Sequence, residues 1–122
     1  MSKTILTIDD SASIRQMVAM TLKSAGHIVI EAGDGAQGYD QATSHTVDAV
    51  ITDLNMPVMN GIEFIRKYRT HPSSKGVPIL LLTTESDDEL KRQAKEAGAT
   101  GWIVKPFKQD QLIAVIKKVT GA

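Results

Sequence analysis

Five times along this chain a short apolar run gives way to a stretch with helical spacing, and few folds accept that alternation. The apolar runs lie at 4–9, 27–31, 48–53, 77–83 and 100–104. Two of them contain unbroken segments, Ala49-Val50-Ile51 and Ile79-Leu80-Leu81-Leu82, which suits strands buried on both faces of a parallel sheet. Parallel strands need helical crossovers of fixed hand between them. The expected fold is therefore α/β, a doubly wound five-stranded parallel sheet in a single domain over residues 1–122.

The helical stretches carry end signals. Ile14, Met17, Val18, Thr21, Leu22 and Ala25 recur every three to four residues, and Gly26 stands where a helix stop belongs. Ser13 with Gln16 fits a capping box at the start of that helix. Further helices are expected near 36–44, 61–70 and 87–97, and Leu112, Val115, Ile116 and Val119 mark the last. The fourth is strongly polar, with only Leu90, Ala94 and Ala97 on one face, so it should be loosely held.

Composition removes several function classes. The chain has no cysteine, which excludes disulfides, thiolate metal sites and cysteine nucleophiles. Fourteen basic residues balance fourteen acidic ones, which argues against a nucleic-acid-binding surface. The basic stretch Arg66-Lys67-Tyr68-Arg69 covers only one helical turn. No apolar run approaches the roughly 20 residues that span a bilayer, and Met-Ser-Lys-Thr leads straight into a strand pattern without a signal peptide's apolar region. A cytoplasmic monomer with no membrane contact is expected.

In doubly wound folds ligands bind beyond the C-terminal ends of the strands. The first strand ends in Asp9-Asp10. The third ends at Asp53, followed by Leu54-Asn55-Met56-Pro57 and then Gly61. The fourth ends in Thr83-Thr84-Glu85, and the fifth leads into Lys105-Pro106-Phe107. Three carboxylates, a hydroxyl and an ammonium thus converge on one edge. Two carboxylates about 5 Å apart repel by roughly 3 kcal/mol at an effective dielectric near 20, so the cluster needs a cation or a retained proton. Hard oxygen donors without nearby His or Cys favour Mg²⁺, with Mn²⁺ as a substitute. Mg²⁺ usually completes its shell with water and a phosphate oxygen. One carboxylate can then act as a nucleophile that forms an acyl phosphate, while Lys105 neutralises phosphoryl oxygens and Thr83 donates a hydrogen bond. Each residue alone reads more simply as a cap, turn or surface position. Their coincidence at four strand ends favours a site.

These residues carry a resemblance. Asp9-Asp10, Asp53 with Met56-Pro57 and Gly61, Thr83, and Lys105-Pro106-Phe107 resemble the receiver domains of two-component response regulators, over nearly the whole chain. The resemblance implies strand order 2-1-3-4-5 and a phospho-acceptor, Asp53, that attacks a phosphohistidine on a histidine kinase. It implies Mg²⁺ held by Asp10, Asp53 and the Asn55 backbone carbonyl, with Asp9 acting through water, and a cis Lys105–Pro106 bond. Such a protein is not a conventional enzyme, although it catalyses its own phosphoryl uptake and loss.

Within the family the chain is similar to stand-alone, CheY-type chemotaxis regulators. That likeness implies a kinase of the chemotaxis type, a flagellar motor switch as target and a partner phosphatase. Asn55 and Glu85 match the positions that border the phosphoryl group in fast-cycling members. Trp102 stands where chemotaxis members usually carry Tyr, the rotating switch aromatic, and the larger indole is expected to pivot less completely. Thr84 is bulkier than the usual small residue and is expected to narrow access to Asp53. A phosphate sink, a phosphorelay shuttle and a phosphorylation-independent binding module remain alternatives. A flavodoxin-like carrier does not fit, because Asp9-Asp10 would repel its phosphate. An Asp-nucleophile phosphatase does not fit either, because position 55 is Asn rather than an acid. His27, His45 and His71 are expected to be solvated, Met17 and Met20 to pack a helix, and Met56 and Met59 to pack a loop.

Overall fold

The apolar runs form a sheet in a computed structural model that describes residues 2–121. The elements in order are β1 (Thr4–Ile8), α1 (Ala12–Ser24), β2 (Ile28–Ala32), α2 (Gly35–Ser44), β3 (Ala49–Thr52), α3 (Gly61–Arg69), a 3₁₀ turn (Pro72–Ser74), β4 (Ile79–Thr83), α4 (Asp88–Ala97), β5 (Gly101–Val104) and α5 (Gln109–Thr120). All five strands are parallel, in the order β2-β1-β3-β4-β5. This is the doubly wound order expected above.

The core divides into two layers. On one face Val18 and Leu22 of α1 and Leu112 and Ile116 of α5 meet Ile5, Ile51, Leu80 and Leu82. On the other, Ala42, Phe64, Ile65, Tyr68 and Ala94 from α2, α3 and α4 meet Leu6, Ile8, Val50, Ile79 and Leu81. Every residue of β3 and β4 is buried, which is why those runs are apolar without alternation.

Several expectations need correction. The cap of α1 is Ser11, not Ser13: its Oγ accepts from the Ile14 N–H at 3.4 Å. The chain turns early because the Ser11 N–H is itself held by the Asp9 carboxylate at 2.9 Å. Met17 and Met20 lie outside the helix packing, 46% and 70% exposed, because Val18, Ala19, Thr21 and Leu22 occupy the inward stripe. His27 is buried, not solvated, and its Nδ1 accepts from the Lys3 N–H at 3.1 Å. His71 is half-buried, its Nδ1 accepting from the Ser73 N–H, while His45 is exposed. Met56 and Met59 do pack onto the core from their loop. On α4 only Ala94 is fully buried.

Candidate metal and phosphoryl site

Parallel pairing brings the C-terminal ends of β1, β3, β4 and β5 to one edge. Ile8 sits beside Thr52, Thr52 beside Leu81, and Thr83 beside Val104. Asp9, Asp53 and Lys105, which directly follow β1, β3 and β5, then meet in the same space. One carboxylate oxygen each from Asp9, Asp10 and Asp53 lies within 4.8 Å of the others.

The three acids differ in what already holds them. Asp9 is buried: one oxygen accepts from the Ser11 N–H at 2.9 Å and the other from Lys105 Nζ at 3.1 Å. Asp10 is exposed and accepts no hydrogen bond among the described residues. Asp53, with a side chain 12% exposed, accepts the Leu54 N–H on Oδ1 at 2.8 Å. Lys105 Nζ lies 3.6 Å from that same oxygen. Among the described residues no donor engages Asp53 Oδ2.

Burial is the main reason the Asp53 carboxyl titrates above the usual carboxylate range. Lys105 opposes that shift, the Asp9 charge adds to it, the Leu54 N–H opposes it, and Asp10 adds a little more. Three acids facing one ammonium leave an excess of about two negative charges. All the donor atoms are hard oxygens, so the cluster fits a small divalent cation such as Mg²⁺.

Thr83 is fully buried, and its Oγ1 accepts from the Glu85 N–H at 3.2 Å, which leaves its O–H to donate. The Glu85 carbonyl in turn accepts from the Trp102 indole N–H at 2.9 Å. Thr83 and Trp102 therefore grip the same residue from its two ends. Trp102 is half-buried against the layer that contains Leu90 and Ala94. Asn55 and Thr84 are exposed, and Glu85 is half-buried at the rim. The Lys105–Pro106 bond is cis.

Two residues of this edge had no role in the sequence reading. Arg15 Nη1 donates to the Asp9 carbonyl at 2.7 Å while its Nε pairs with Glu31 at 3.1 Å, tying the acidic turn to β2. A cation one turn into the first helix was the only signal for it. Val58, in the loop after Asp53, has φ at 70°, for which the sequence carried no signal.

The fold and this acidic edge define a class, and sequence comparison agrees with it. The chain belongs to the response regulator receiver domain family, which matches residues 5–117. Among solved structures it is similar to the Vibrio cholerae chemotaxis protein CheY4, at 44% identity and TM-score 0.94, covering 98% of this chain and 99% of that one. It also resembles the receiver domain of a Pseudomonas aeruginosa sensor histidine kinase solved with magnesium in the active-site cleft. There identity is 26% and TM-score 0.92, with both chains fully covered. A Campylobacter jejuni chemotaxis protein CheY homologue is 37% identical over 119 residues, covering 96% of this chain and 92% of that protein. The chain spans about half the length (51%) of a related phosphate regulon transcriptional regulatory protein of P. aeruginosa.

Proposed function

We propose that this chain is a phosphorylation-activated switch in which Asp53 takes a phosphoryl group from a phosphohistidine on a partner kinase, with Mg²⁺ bound beside it. The observation that carries this reading is the state of the Asp53 carboxylate. One oxygen is fixed by Leu54 and faces Lys105, and the other meets no protein donor, inside a cluster of three acids. That free oxygen attacks phosphorus. A P–O bond forms as the P–N bond breaks, and the electron pair leaves on the imidazole nitrogen, which takes a proton from solvent.

Lys105 neutralises charge on the phosphoryl oxygens, and Thr83, whose O–H is free to donate, hydrogen-bonds another. Mg²⁺ (or Mn²⁺), when bound, would offset the carboxylate charge and polarise the phosphoryl group. Asp10, Asp53 and the Asn55 carbonyl would hold it. Asp9, with both oxygens engaged by Ser11 and Lys105, would act through water. Loss of the phosphoryl group is hydrolysis: water attacks phosphorus, the bond to Asp53 breaks, and inorganic phosphate leaves. Asn55, Thr84 and Glu85 border the path of that water.

Output is by protein contact, through the face made of α4, β5 and α5. A shallow cavity of about 240 Å³ between α4 and β5, lined by Lys91, Ala94, Lys95 and Trp102 among others, supports the α4–β5 part of that assignment. The chemotaxis relatives favour a flagellar motor switch as target and a chemotaxis-type histidine kinase as donor. Holding the protein active with beryllofluoride, which stands in for the phosphoryl group, tests the target. Flagellar switch protein should be retained over a histidine phosphotransfer domain; the opposite preference points to a relay or a phosphate sink.

A further inference from the structure

Asp9 and Asp10 follow one another in the turn after β1, yet only one of them is held. Every polar group of Asp9 has a partner. Its N–H donates to the Ala32 carbonyl of β2 at 3.1 Å, and its carboxylate oxygens accept from the Ser11 N–H and from Lys105. Its carbonyl accepts from Arg15 Nη1 at 2.7 Å. Asp10 is exposed, and its carboxylate accepts no hydrogen bond among the described residues. It nonetheless offers an oxygen within 4.8 Å of those of Asp9 and Asp53. No side-chain bond puts it there, so the backbone must.

The backbone unit that leads into Asp10 is the Asp9–Asp10 peptide. It is planar, so fixing its oxygen limits where the Asp10 Cα and side chain can lie. That oxygen is the Asp9 carbonyl, and Arg15 holds it. The guanidinium is itself aimed: its Nε pairs with Glu31 Oε1 at 3.1 Å, and the side chain is only 21% exposed. Glu31 sits on β2 one residue before Ala32, whose carbonyl holds the Asp9 N–H. A planar guanidinium can meet a carboxylate and a carbonyl in two fixed directions at once, which a single ammonium does poorly. The paired carboxylate also offsets a positive charge that would otherwise oppose a metal ion beside Asp10.

We propose that Arg15 is a positioning residue for Mg²⁺: by gripping the Asp9 carbonyl it sets the Asp9–Asp10 peptide and so places the otherwise unheld Asp10 carboxylate at the metal. This rests on the metal reading above. Position and charge make opposite forecasts here. If charge were all that mattered, removing a cation near the site would tighten Mg²⁺ binding. If Arg15 places a ligand, removing it loosens binding.

Calorimetric titration of Mg²⁺ alone into the whole chain, with thermal melts in EDTA beside it, separates the two. Arg15→Gln should bind Mg²⁺ about three- to tenfold more weakly, at or under the low end of what partners of metal ligands contribute. Arg15→Lys keeps the charge and can still donate to the carbonyl, but loses the fork, so it should recover only part of that loss. A merely stabilising role would lower the melting temperature in EDTA and leave the Mg²⁺ affinity of both variants at the wild-type value. Wild-type or tighter binding by Arg15→Gln overturns the proposal; should that variant fail to fold, the same result with Arg15→Lys does so. Wild-type protein that binds no Mg²⁺ contradicts the metal reading itself, and the proposal falls with it. Wild-type binding with an unaffected Arg15→Gln leaves the metal reading standing and sinks the proposal alone.

Discussion

Asp53 is the residue on which burial and charge make opposite demands. Desolvation first, then Asp9 and Asp10, favour its neutral form, while Lys105 and the Leu54 N–H favour the anion; the balance raises its pKa. A carboxyl whose pKa is higher in the folded state contributes stability at low pH that is lost as pH rises through the folded value. Without metal, Asp53 should therefore destabilise the fold at neutral pH. Asp53→Asn should be more stable than wild type by about 1–3 kcal/mol at pH 7. The advantage should vanish below about pH 3, where the wild-type carboxyl is protonated. Urea unfolding in EDTA at the two pH values checks both size and sign. The acidic cluster was legible in the sequence because each acid directly follows an apolar run. What could not be read is how unequally the acids are held. Asp9 is committed to Ser11 and Lys105, and Asp10 to no donor among the described residues, because those partners come from tertiary geometry. Arg15 was missed for the same reason, since its acceptor is a backbone carbonyl.

At the scale of elements, Glu85 joins the acidic edge to the proposed output face. Its N–H is held by Thr83 and its carbonyl by the Trp102 indole. If Thr83 is drawn toward a phosphoryl oxygen, the first of these bonds is disturbed and the strain passes to the second. The adjoining helix is poorly placed to resist, because α4 buries only Ala94 completely and is mostly charged. Beryllofluoride with Mg²⁺ should therefore alter the emission or acrylamide quenching of Trp102, the only tryptophan. The change should disappear in Asp53→Asn and shrink in Thr83→Ala. Constant emission while beryllofluoride binds would uncouple Trp102 from the site. The weak apolar stripe of α4 was visible in its sequence. The indole-to-carbonyl bond was not, since a tryptophan side chain can reach many backbone groups and pattern does not choose among them. Element ends were misread where a local bond overrode pattern, as at Ser11, and the outward turn of Met17 and Met20 was hidden by a helix spacing with two acceptable stripes.

For the molecule as a whole, the sheet was the most legible feature, because doubly buried strands allow few alternatives to Ile79-Leu80-Leu81-Leu82. Its order brings the ends of β1, β3 and β5 to one edge, so that Asp9, Asp53 and Lys105 meet in the turns that follow them, and metal binding would then couple to global stability. At ten times its dissociation constant Mg²⁺ should add about 1.4 kcal/mol and raise the melting temperature by about 5 °C. Asp10→Asn, which removes the exposed acid, should reduce the rise at constant ionic strength. Phosphoryl loading of Asp53 is the proposed event on which the switch depends. Intact mass after incubation with acetyl phosphate and Mg²⁺ tests it most directly. Wild type should gain one phosphoryl group, lost on adding hydroxylamine, and Asp53→Asn should gain none. Equal phosphoryl uptake by the two proteins, or none by the wild type, would contradict it.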